Sequence, residues 1–359
     1  MTWDMTPVGK TRARGAGILF EGTPGEHNAI TDVRGVKVGY TTLIEGDSVR
    51  TGVTAILPRP VEELVTPVFA GCHSLNGNGE MTGTIWIEEA GRCDGPITIT
   101  NTHSCGVARD ATIKWMVQKD TAPGQWALPV AGETYDGVLN DINGFHIKDK
   151  HVFAALDSAS DGAIEEGSVG GGTGMICYGY KGGSGTASRV VDSSGVSITV
   201  GAFVQANFGR RDQLTISGVP VGRLLQPREE SDECGSIIAV VATDAPLLPH
   251  QLKRLARRVG LGVGRSGAIS GHGSGDIFLA FSTANEAAHH EEQRLASTQF
   301  IPNARLDSIF EAVIQAVDEA ILNSLFANET MTGINGTVVQ ALPHDPVISI
   351  LKKHKAIAI

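Results

Sequence analysis

Short apolar or alternating segments recur along the chain, each bounded by residues such as Gly, Pro, Asn or Asp. Alternating apolar and polar residues predict a strand with one buried face, and a short continuous apolar run predicts a strand buried on both faces. On these patterns we predict strands at residues 36–38, 53–57, 97–100, 152–156, 196–204, 236–243 and 277–281. Asparagine and glycine dominate residues 75–83, which predicts tight-turn or left-handed backbone there.

Three other segments predict helices. Pro249 is followed by Leu252, Leu255 and Val259, so a helix beginning at the proline would bury one face and leave basic residues largely on the other. Residues 306–326 keep apolar residues at helical spacing for about five turns, and a shorter helix is predicted at residues 108–118. Strands mixed with long helices favour an α/β sandwich. No segment has the composition of a linker, so one domain is predicted over residues 1–359.

Composition narrows the class of protein. Lys and Arg number 29 and Asp and Glu 39, a net charge of −10. An acidic chain with scattered basic residues is not expected to bind nucleic acid. No apolar run reaches the roughly 18 residues of a membrane-spanning helix, and we see no secretory signal. Five cysteines without paired spacing predict reduced, mostly buried thiols, so we expect a cytoplasmic protein.

Several clusters suggest chemistry but have simpler structural explanations. The glycines of residues 170–174 can cradle a phosphate, but they lack the Lys-Ser/Thr ending of a P-loop, and turn-forming glycine is the alternative to nucleotide binding. Cys72 precedes His73, and Cys105 lies two positions after His103. Adjacent strand residues point to opposite faces, so a structural role is favoured over a Cys/His nucleophile. The histidines show no metal-binding spacing, and no metal site is expected.

Two serines beside predicted strands form a sharper pattern. Gly235 precedes Ser236 at the start of an apolar segment, and Ser274 and Asp276 lead into the segment 277–281. A glycine before a serine lets the backbone bend so that the hydroxyl approaches the preceding carbonyl, which is the geometry of an N-to-O acyl shift. A serine after a glycine at a strand start is, taken alone, an ordinary feature.

At these residues the chain resembles the family of L-aminopeptidase/D-esterase (DmpA-type) and β-peptidyl aminopeptidases, self-cleaving hydrolases with an N-terminal nucleophile. The resemblance runs essentially from end to end. It implies a four-layer αββα sandwich of the N-terminal-nucleophile type, as in ornithine acetyltransferases. The motifs occur in the family's order at residues 28–40 (Asn-Ala-Ile-Thr-Asp-Val-Arg-Gly-Val-Lys-Val-Gly-Tyr), 75–83, 133–137 (Glu-Thr-Tyr-Asp-Gly), 204–209 (Val-Gln-Ala-Asn-Phe-Gly), 235–238, 274–276 and 329–333 (Glu-Thr-Met-Thr-Gly).

The resemblance implies that the chain cuts itself. Cleavage between Gly235 and Ser236 would give a large chain, residues 1–235, and a small chain, residues 236–359, whose first residue is the catalytic nucleophile. Ser274 and Asp276 match the Ser-x-acid pair that assists this nucleophile.

Three further residues match positions around the substrate in this family. Asn207 matches the side-chain amide of the oxyanion hole, and Tyr135 matches a tyrosine near the reacting carbonyl. Glu133 matches the acid that meets the substrate's free amine, with a bracing role in the fold as its alternative.

The activity implied is that of a serine aminopeptidase, amidase or esterase without a cofactor. It would release N-terminal amino acids from small peptides, amino-acid amides or esters that have a free N-terminus. The family also implies a homo-oligomer, a tetramer of cleaved protomers. An acyltransferase or aminolysis catalyst on the same site is one alternative, and a self-processing binding protein with little turnover is another.

Overall fold

The structure is a computed structural model. It describes residues 3–122, 126–193, 195–225, 235–289 and 294–357.

Strands and helices are interspersed along the chain. The strands are β1 (Lys37–Glu45), β2 (Val49–Leu57), β3 (Val68–Gly77), β4 (Arg92–Cys93), β5 (Ile97–Asn101), β6 (Val130–Thr134), β7 (Ile176–Cys177), β8 (Tyr180–Lys181), β9 (Gly183–Ser193), β10 (Val196–Asn207), β11 (Ser236–Thr243), β12 (Gly275–Ser282), β13 (Met331–Thr332) and β14 (Val338–Val339). The helices are α1 (Thr84–Ala90), α2 (Cys105–Gln118), α3 (Asp149–Asp157), α4 (Val221–Leu225), α5 (Pro249–Arg265), α6 (Asp307–Phe326) and α7 (His344–Lys353).

Two sheets stack between two layers of helices. One sheet has the strand order β1-β2-β5-β6, and the other has the order β4-β3-β12-β11-β10-β9. Helices α2 and α3 pack on the first sheet, and α5 and α6 pack on the second. A separate apolar core fills the space between the sheets, where residues such as Ile56 and Ile99 meet Phe203 and Val240. The predicted αββα layer order is confirmed.

Strand β11 lies in the middle of the larger sheet and is buried along its whole length. It pairs antiparallel with β10 and parallel with β12. Ile237, Ala239 and Val241 face the helices, whereas Ile238 and Val240 face the other sheet. Cover on both faces explains why this segment is a continuous apolar run in the sequence.

Helix α5 begins at Pro249, as predicted. Its apolar face buries Leu252, Leu255 and Val259, each of which contributes roughly 1.5–3 kcal/mol through burial. Basic residues of this helix make contacts within the fold. The Arg258 guanidinium, for example, lies 3.9 Å from the centre of the Phe310 ring. None of the described helices has the length and apolarity to cross a membrane.

One prediction of local structure was wrong, and another was wrong at its boundary. Residues 152–156, predicted as a strand, lie in helix α3, where Val152, Ala155 and Leu156 are buried at helical spacing. A short apolar run fits either element, and the packing against the smaller sheet decides between them. The predicted turn at residues 75–83 begins later, because residues 75–77 still belong to β3.

The glycine-rich segment at residues 170–174 is buried between strands. A Cβ atom on Gly171 would overlap the Gln205 side chain, and one on Gly172 would overlap the backbone of Ser184. These glycines permit close packing, which favours the structural interpretation over a phosphate-binding loop.

Candidate active site

Strand register brings three predicted site elements together. Ser236 begins β11 and is 5% exposed. It lies opposite Asn207, the last residue of β10, on one side and opposite Gly275, the first residue of β12, on the other. Ser274 and Asp276 flank Gly275 in the chain, so the predicted nucleophile lies beside the pair predicted to assist it.

The backbone N–H of Gly275 faces both the predicted nucleophile and the predicted scissile carbonyl. Its nitrogen lies 3.2 Å from the carbonyl oxygen of Gly235 and 3.3 Å from Ser236 Oγ. The glycine at position 235 is required for packing, because a Cβ atom there would overlap the carbonyl oxygen of Asn207. Close backbone approach therefore provides a reason for this glycine besides the bend expected from the sequence.

Ser274, the residue before β12, and Asp276, the second residue of β12, form a pair. The Ser274 hydroxyl donates to Asp276 Oδ1 at 2.7 Å, and both residues are buried. A hydrogen bond to a carboxylate is charge-assisted, so it holds the serine oxygen firmly and increases its basicity.

The loop before Ser274 is fastened by the asparagines of the segment at residues 75–83. Asn76 Nδ2 donates to the carbonyl of Gly271 at 2.6 Å, and Asn78 Nδ2 donates to that of Gly273 at 2.8 Å. The backbone N–H of Asn78 also donates to the Ser274 carbonyl at 3.3 Å. The segment thus positions the Ser-x-acid pair, a role that its composition alone did not indicate.

Two backbone groups fix the orientation of the Asn207 amide. Its Oδ1 accepts from the Ile176 N–H at 2.8 Å, and its Nδ2 donates to the Tyr135 carbonyl at 2.9 Å. If the amide oxygen and nitrogen were exchanged, the amide NH2 would face the Ile176 N–H and the amide oxygen would face the Tyr135 carbonyl. Only the orientation described makes both hydrogen bonds. An amide nitrogen has two hydrogens, so the second can be donated to another acceptor.

Tyr135 contributes its backbone as well as its side chain. The carbonyl group orients Asn207, while the side chain, directly after β6, is 40% exposed. Its phenol lies over Gly137, where a Cβ atom would overlap the ring. The sequence predicted the ring near the reacting carbonyl but not the backbone contact.

Glu133 is buried in β6, and its Oε1 accepts from the Glu80 N–H at 2.8 Å. Burial raises the pKa of its carboxyl group and the Glu80 charge adds to the rise, whereas hydrogen bonds from the Thr102 side chain and the Glu80 backbone oppose it. The hydrogen bond to Glu80 is the kind of contact that a bracing role requires. Glu133 also lies near Gly275, whose N–H contacts Ser236, as the position of Gly79 shows.

Gly79 lies between Glu133 and the backbone that contacts the nucleophile. A Cβ atom placed on Gly79 would lie 3.3 Å from Glu133 Oε1 and 3.3 Å from the Gly275 Cα atom. A cleft of about 350 Å³, lined in part by Gly79 and Ile277, opens beside this point. A larger residue at position 79 would therefore crowd both groups.

The thiols near histidines are unsuited to nucleophilic attack. Burial raises the pKa of Cys72 and that of Cys105 to about 12 each, so both stay protonated near neutral pH. His103 stacks on the Phe145 ring. Four cysteines are free and buried, as predicted, and Cys234 lies outside the described residues. In the described part of the chain, no group of three His, Cys, Asp or Glu side chains is arranged to hold a metal ion.

Known proteins resemble this chain over nearly its whole length. The model of Peptidase family S58 matches residues 28–339. The beta-peptidyl aminopeptidase BapA of Sphingosinicella microcystinivorans is 52% identical over 371 residues, covering 97% of this chain and 93% of that protein. Its namesake from Sphingosinicella xenopeptidilytica is 44% identical over 366 residues, covering 95% of this chain and 91% of that protein.

Solved structures agree with the fold. The L-aminopeptidase D-Ala-esterase/amidase of Ochrobactrum anthropi, described as a prototype serine aminopeptidase and a variant of the Ntn hydrolase fold, matches with a TM-score of 0.92 at 48% identity. That match covers 97% of this chain and 99% of the other. A beta-aminopeptidase of Burkholderia sp. gives a TM-score of 0.89 at 45% identity, covering 96% of this chain and 99% of its own. The predicted N-terminal-nucleophile hydrolase fold is confirmed.

Proposed function

The chain belongs to peptidase family S58 and is a hydrolytic aminopeptidase, and we propose that its nucleophile is Ser236, released by self-cleavage of the Gly235–Ser236 bond. The single observation that carries this proposal is the Gly275 N–H, which lies within hydrogen-bonding distance of both the Gly235 carbonyl oxygen and Ser236 Oγ. The products would be residues 1–235 and the 124 residues 236–359 (359 − 235 = 124).

Self-cleavage begins with attack of Ser236 Oγ on the Gly235 carbonyl carbon. A neutral hydroxyl needs a base, so the Ser274 oxygen takes its proton as the Ser274 hydroxyl passes its own proton to the Asp276 carboxylate. The Gly275 N–H stabilises the developing oxyanion, and the C–N bond breaks as the departing nitrogen takes the proton back from this relay, which gives an amine and an ester. Water then hydrolyses the ester, which leaves a carboxylate on Gly235 and a free α-amine on Ser236.

The new α-amine then serves catalysis. Its reference pKa of about 7.7–8.0 leaves a usable unprotonated fraction at neutral pH, so it can take the proton of its own hydroxyl directly or through water. The hydroxyl attacks the substrate's carbonyl carbon, and Asn207 donates to the oxyanion. A donor of this kind contributes roughly 3–4 kcal/mol to lowering the barrier. The leaving group departs with a proton, and water hydrolyses the acyl-enzyme.

The substrates proposed are small peptides, amino-acid amides and amino-acid esters with a free N-terminus. Their ammonium group would be held by the Glu133 carboxylate through charge-assisted hydrogen bonds. The named relatives include a D-Ala-esterase/amidase and beta-peptidyl aminopeptidases, so acyl groups beyond L-amino acids belong among the substrates to be tested. No step in this scheme requires a metal or an organic cofactor.

Two further features stay predictions, the first from the resemblance and the second from the cysteine pattern and the lack of a visible secretory signal. One is assembly as a homo-oligomer, a tetramer of cleaved protomers, and the other is a cytoplasmic location. The division of residues 1–359 into two pieces of one domain belongs to the same proposal.

Ser236→Ala tests the proposal, with Ser197→Ala as a control because Ser197 is an exposed serine on β10. Denaturing mass spectrometry of the wild type and the control is expected to give two fragments whose masses sum to that of the intact chain plus one water. Ser236→Ala is expected to stay intact and to be inactive on aminoacyl p-nitroanilides. An uncut but active Ser236→Ala would assign the nucleophile elsewhere, and fragments capable of little turnover would favour the binding-protein alternative.

A further inference from the structure

One buried amine takes no part in the mechanism above. Lys181 is fully buried, and its Nζ lies 2.6 Å from the carbonyl oxygen of Gly182, 2.8 Å from that of Met175 and 3.5 Å from that of Gly172. An ammonium group has three hydrogens, which matches three carbonyl acceptors. Burying such a group costs free energy unless its hydrogen bonds are made, so its position is defined by these contacts.

The carbonyls that Lys181 holds belong to the glycine-rich segments on both sides of a short hairpin. Strands β7 and β8 form this hairpin, and Ile176 and Lys181 are cross-strand partners in it. The hairpin is tied to neighbouring chain at two further points: the Lys181 N–H donates to the Gln340 carbonyl at 2.8 Å, and the Tyr178 N–H donates to the Phe208 carbonyl at 2.7 Å. Lys181 therefore fastens a segment with little regular structure of its own.

One peptide group connects Lys181 to the predicted oxyanion donor. The Met175 carbonyl, which accepts from Lys181 Nζ, and the Ile176 N–H, which donates to Asn207 Oδ1 at 2.8 Å, belong to the same peptide plane. A cation bound to the carbonyl oxygen strengthens the N–H of that peptide as a donor, because hydrogen bonds in a chain polarise one another. The Gly182 N–H donates to the same Met175 carbonyl at 2.9 Å.

We propose that Lys181 is a positioning residue that acts through the Met175–Ile176 peptide to hold the Asn207 amide in the orientation that oxyanion stabilisation requires. This inference rests on the proposed function, since it assigns Lys181 to the oxyanion hole of that mechanism. Lys181 itself does not touch substrate. Its effect reaches the reaction through two hydrogen bonds and one peptide group.

The surroundings of Lys181 oppose its positive charge, so the three carbonyl contacts are what favour the protonated form. Burial and, second, the positive charge of Lys10 lower the pKa of its amine to about 7, whereas Cys177 opposes the fall. The protonated form has one more N–H donor than the neutral form and is the form that satisfies all three carbonyls.

A double-mutant cycle tests the inference. Lys181→Met, Asn207→Ala and the double variant are compared with the wild type by kcat and KM on an aminoacyl p-nitroanilide, after mass spectrometry has measured the extent of self-cleavage. Lys181→Met is expected to lower kcat about tenfold or more, as small misplacement of catalytic groups does, with KM changed less than about twofold. In the Asn207→Ala background the same substitution is expected to have no further effect on kcat. Lys352→Met, at an exposed lysine of α7, serves as the control and should keep wild-type kcat.

The outcomes distinguish a failure of the proposed role of Lys181 from a failure of the proposed function. An equal fall in kcat from Lys181→Met in both backgrounds, or no fall in either, would overturn the role of Lys181 while leaving the proposed function intact. Asn207→Ala with wild-type kcat would overturn both the oxyanion role and this inference. If Lys181→Met does not fold, Lys181→Gln, which keeps N–H donors without the charge, takes its place in the cycle. It should lower kcat less, and an effect independent of Asn207 would again overturn the inference.

Discussion

The Ser274 hydroxyl donates to the Asp276 carboxylate at 2.7 Å in a buried hydrogen bond between two residues on either side of Gly275. The pair is formed while the chain is continuous through Gly235 and Ser236. In the proposed mechanism this pair is the base for the cut of the chain itself, and it is arranged before any free α-amine exists. The cut and the later turnover would then rest on different bases, which would make them separable by substitution.

Asp276→Asn is expected to slow self-cleavage by a factor of about a hundred or more, the usual contribution of acid–base catalysis, because the amide cannot accept Ser274's proton. The shape of the residue is nearly unchanged, so folding should persist. The intact fraction is followed over time by denaturing mass spectrometry, with exposed Asp345→Asn as the control. Cleavage of Asp276→Asn at the wild-type rate would show that the pair is structural.

Glu133→Gln is expected to raise KM for aminoacyl anilides much more than it slows self-cleavage, because the substrate's ammonium loses its carboxylate while no free amine takes part in the cut. The control is an N-acetylated substrate, on which wild type and variant should be equally poor. Equal losses in turnover and self-cleavage would favour the bracing role suggested by the hydrogen bond from Glu80.

Stability should depend on pH through Asp136, the residue after Tyr135. Burial raises the pKa of its carboxyl group from 3.8 to about 6, against opposing hydrogen bonds from Thr51, Asn140 and Asn101. The folded state then holds the proton more tightly than the unfolded state, so the stabilisation is complete below about pH 4 and is lost as the pH rises through about 6. The loss from this group is on the order of 3 kcal/mol.

Urea unfolding at a series of pH values from about 4 to above 6 measures how the free energy of unfolding falls as the pH rises. The Ser236→Ala background keeps every molecule a single chain, so that unfolding can be treated as reversible. Asp136→Asn in this background should flatten the decline in unfolding free energy. An unchanged slope would assign the pH dependence to other groups.

Thiol reactivity checks the interpretation of the cysteines. The pKa values of Cys72 and Cys105, raised by burial to about 12, and the raised pKa of buried Cys93 leave almost no thiolate at pH 8. In the native protein these three thiols should not react with a disulfide reagent, and all five cysteines should react in guanidinium. Rapid modification of Cys105, located by peptide mapping, would reopen the Cys/His alternative.

The sequence pattern predicted elements best where burial imposes a strong period. The segment predicted at residues 236–243 is strand β11 from end to end, and α6 ends at the predicted residue. Residues 152–156 failed because a run of five apolar residues fits a helix as well as a strand, and only packing against the smaller sheet decides.

The candidate site could be proposed from the sequence as a set of residue types but not as an arrangement. The family motifs named Ser236 and Asn207, yet their positions opposite each other depend on strand register, which neither motif specifies. The Gly275 N–H and the Ile176 N–H were missed because backbone donors have no residue signature. Lys181 was missed because its acceptors are carbonyls whose positions only the folded hairpin defines.

The order of strands in the larger sheet has a consequence for the lifetime of the cut protein. Strands β11 and β12 would belong to the small chain, yet they lie between β3 and β10 of the large chain. The two pieces would share one sheet and one core, so neither could leave without breaking main-chain hydrogen bonds on both flanks. Refolding of the cut protein would thus require two chains to associate, whereas refolding of the intact chain is unimolecular. In dilute solution unfolding would become effectively one-way, and the enzyme's persistence would be set by its unfolding rate.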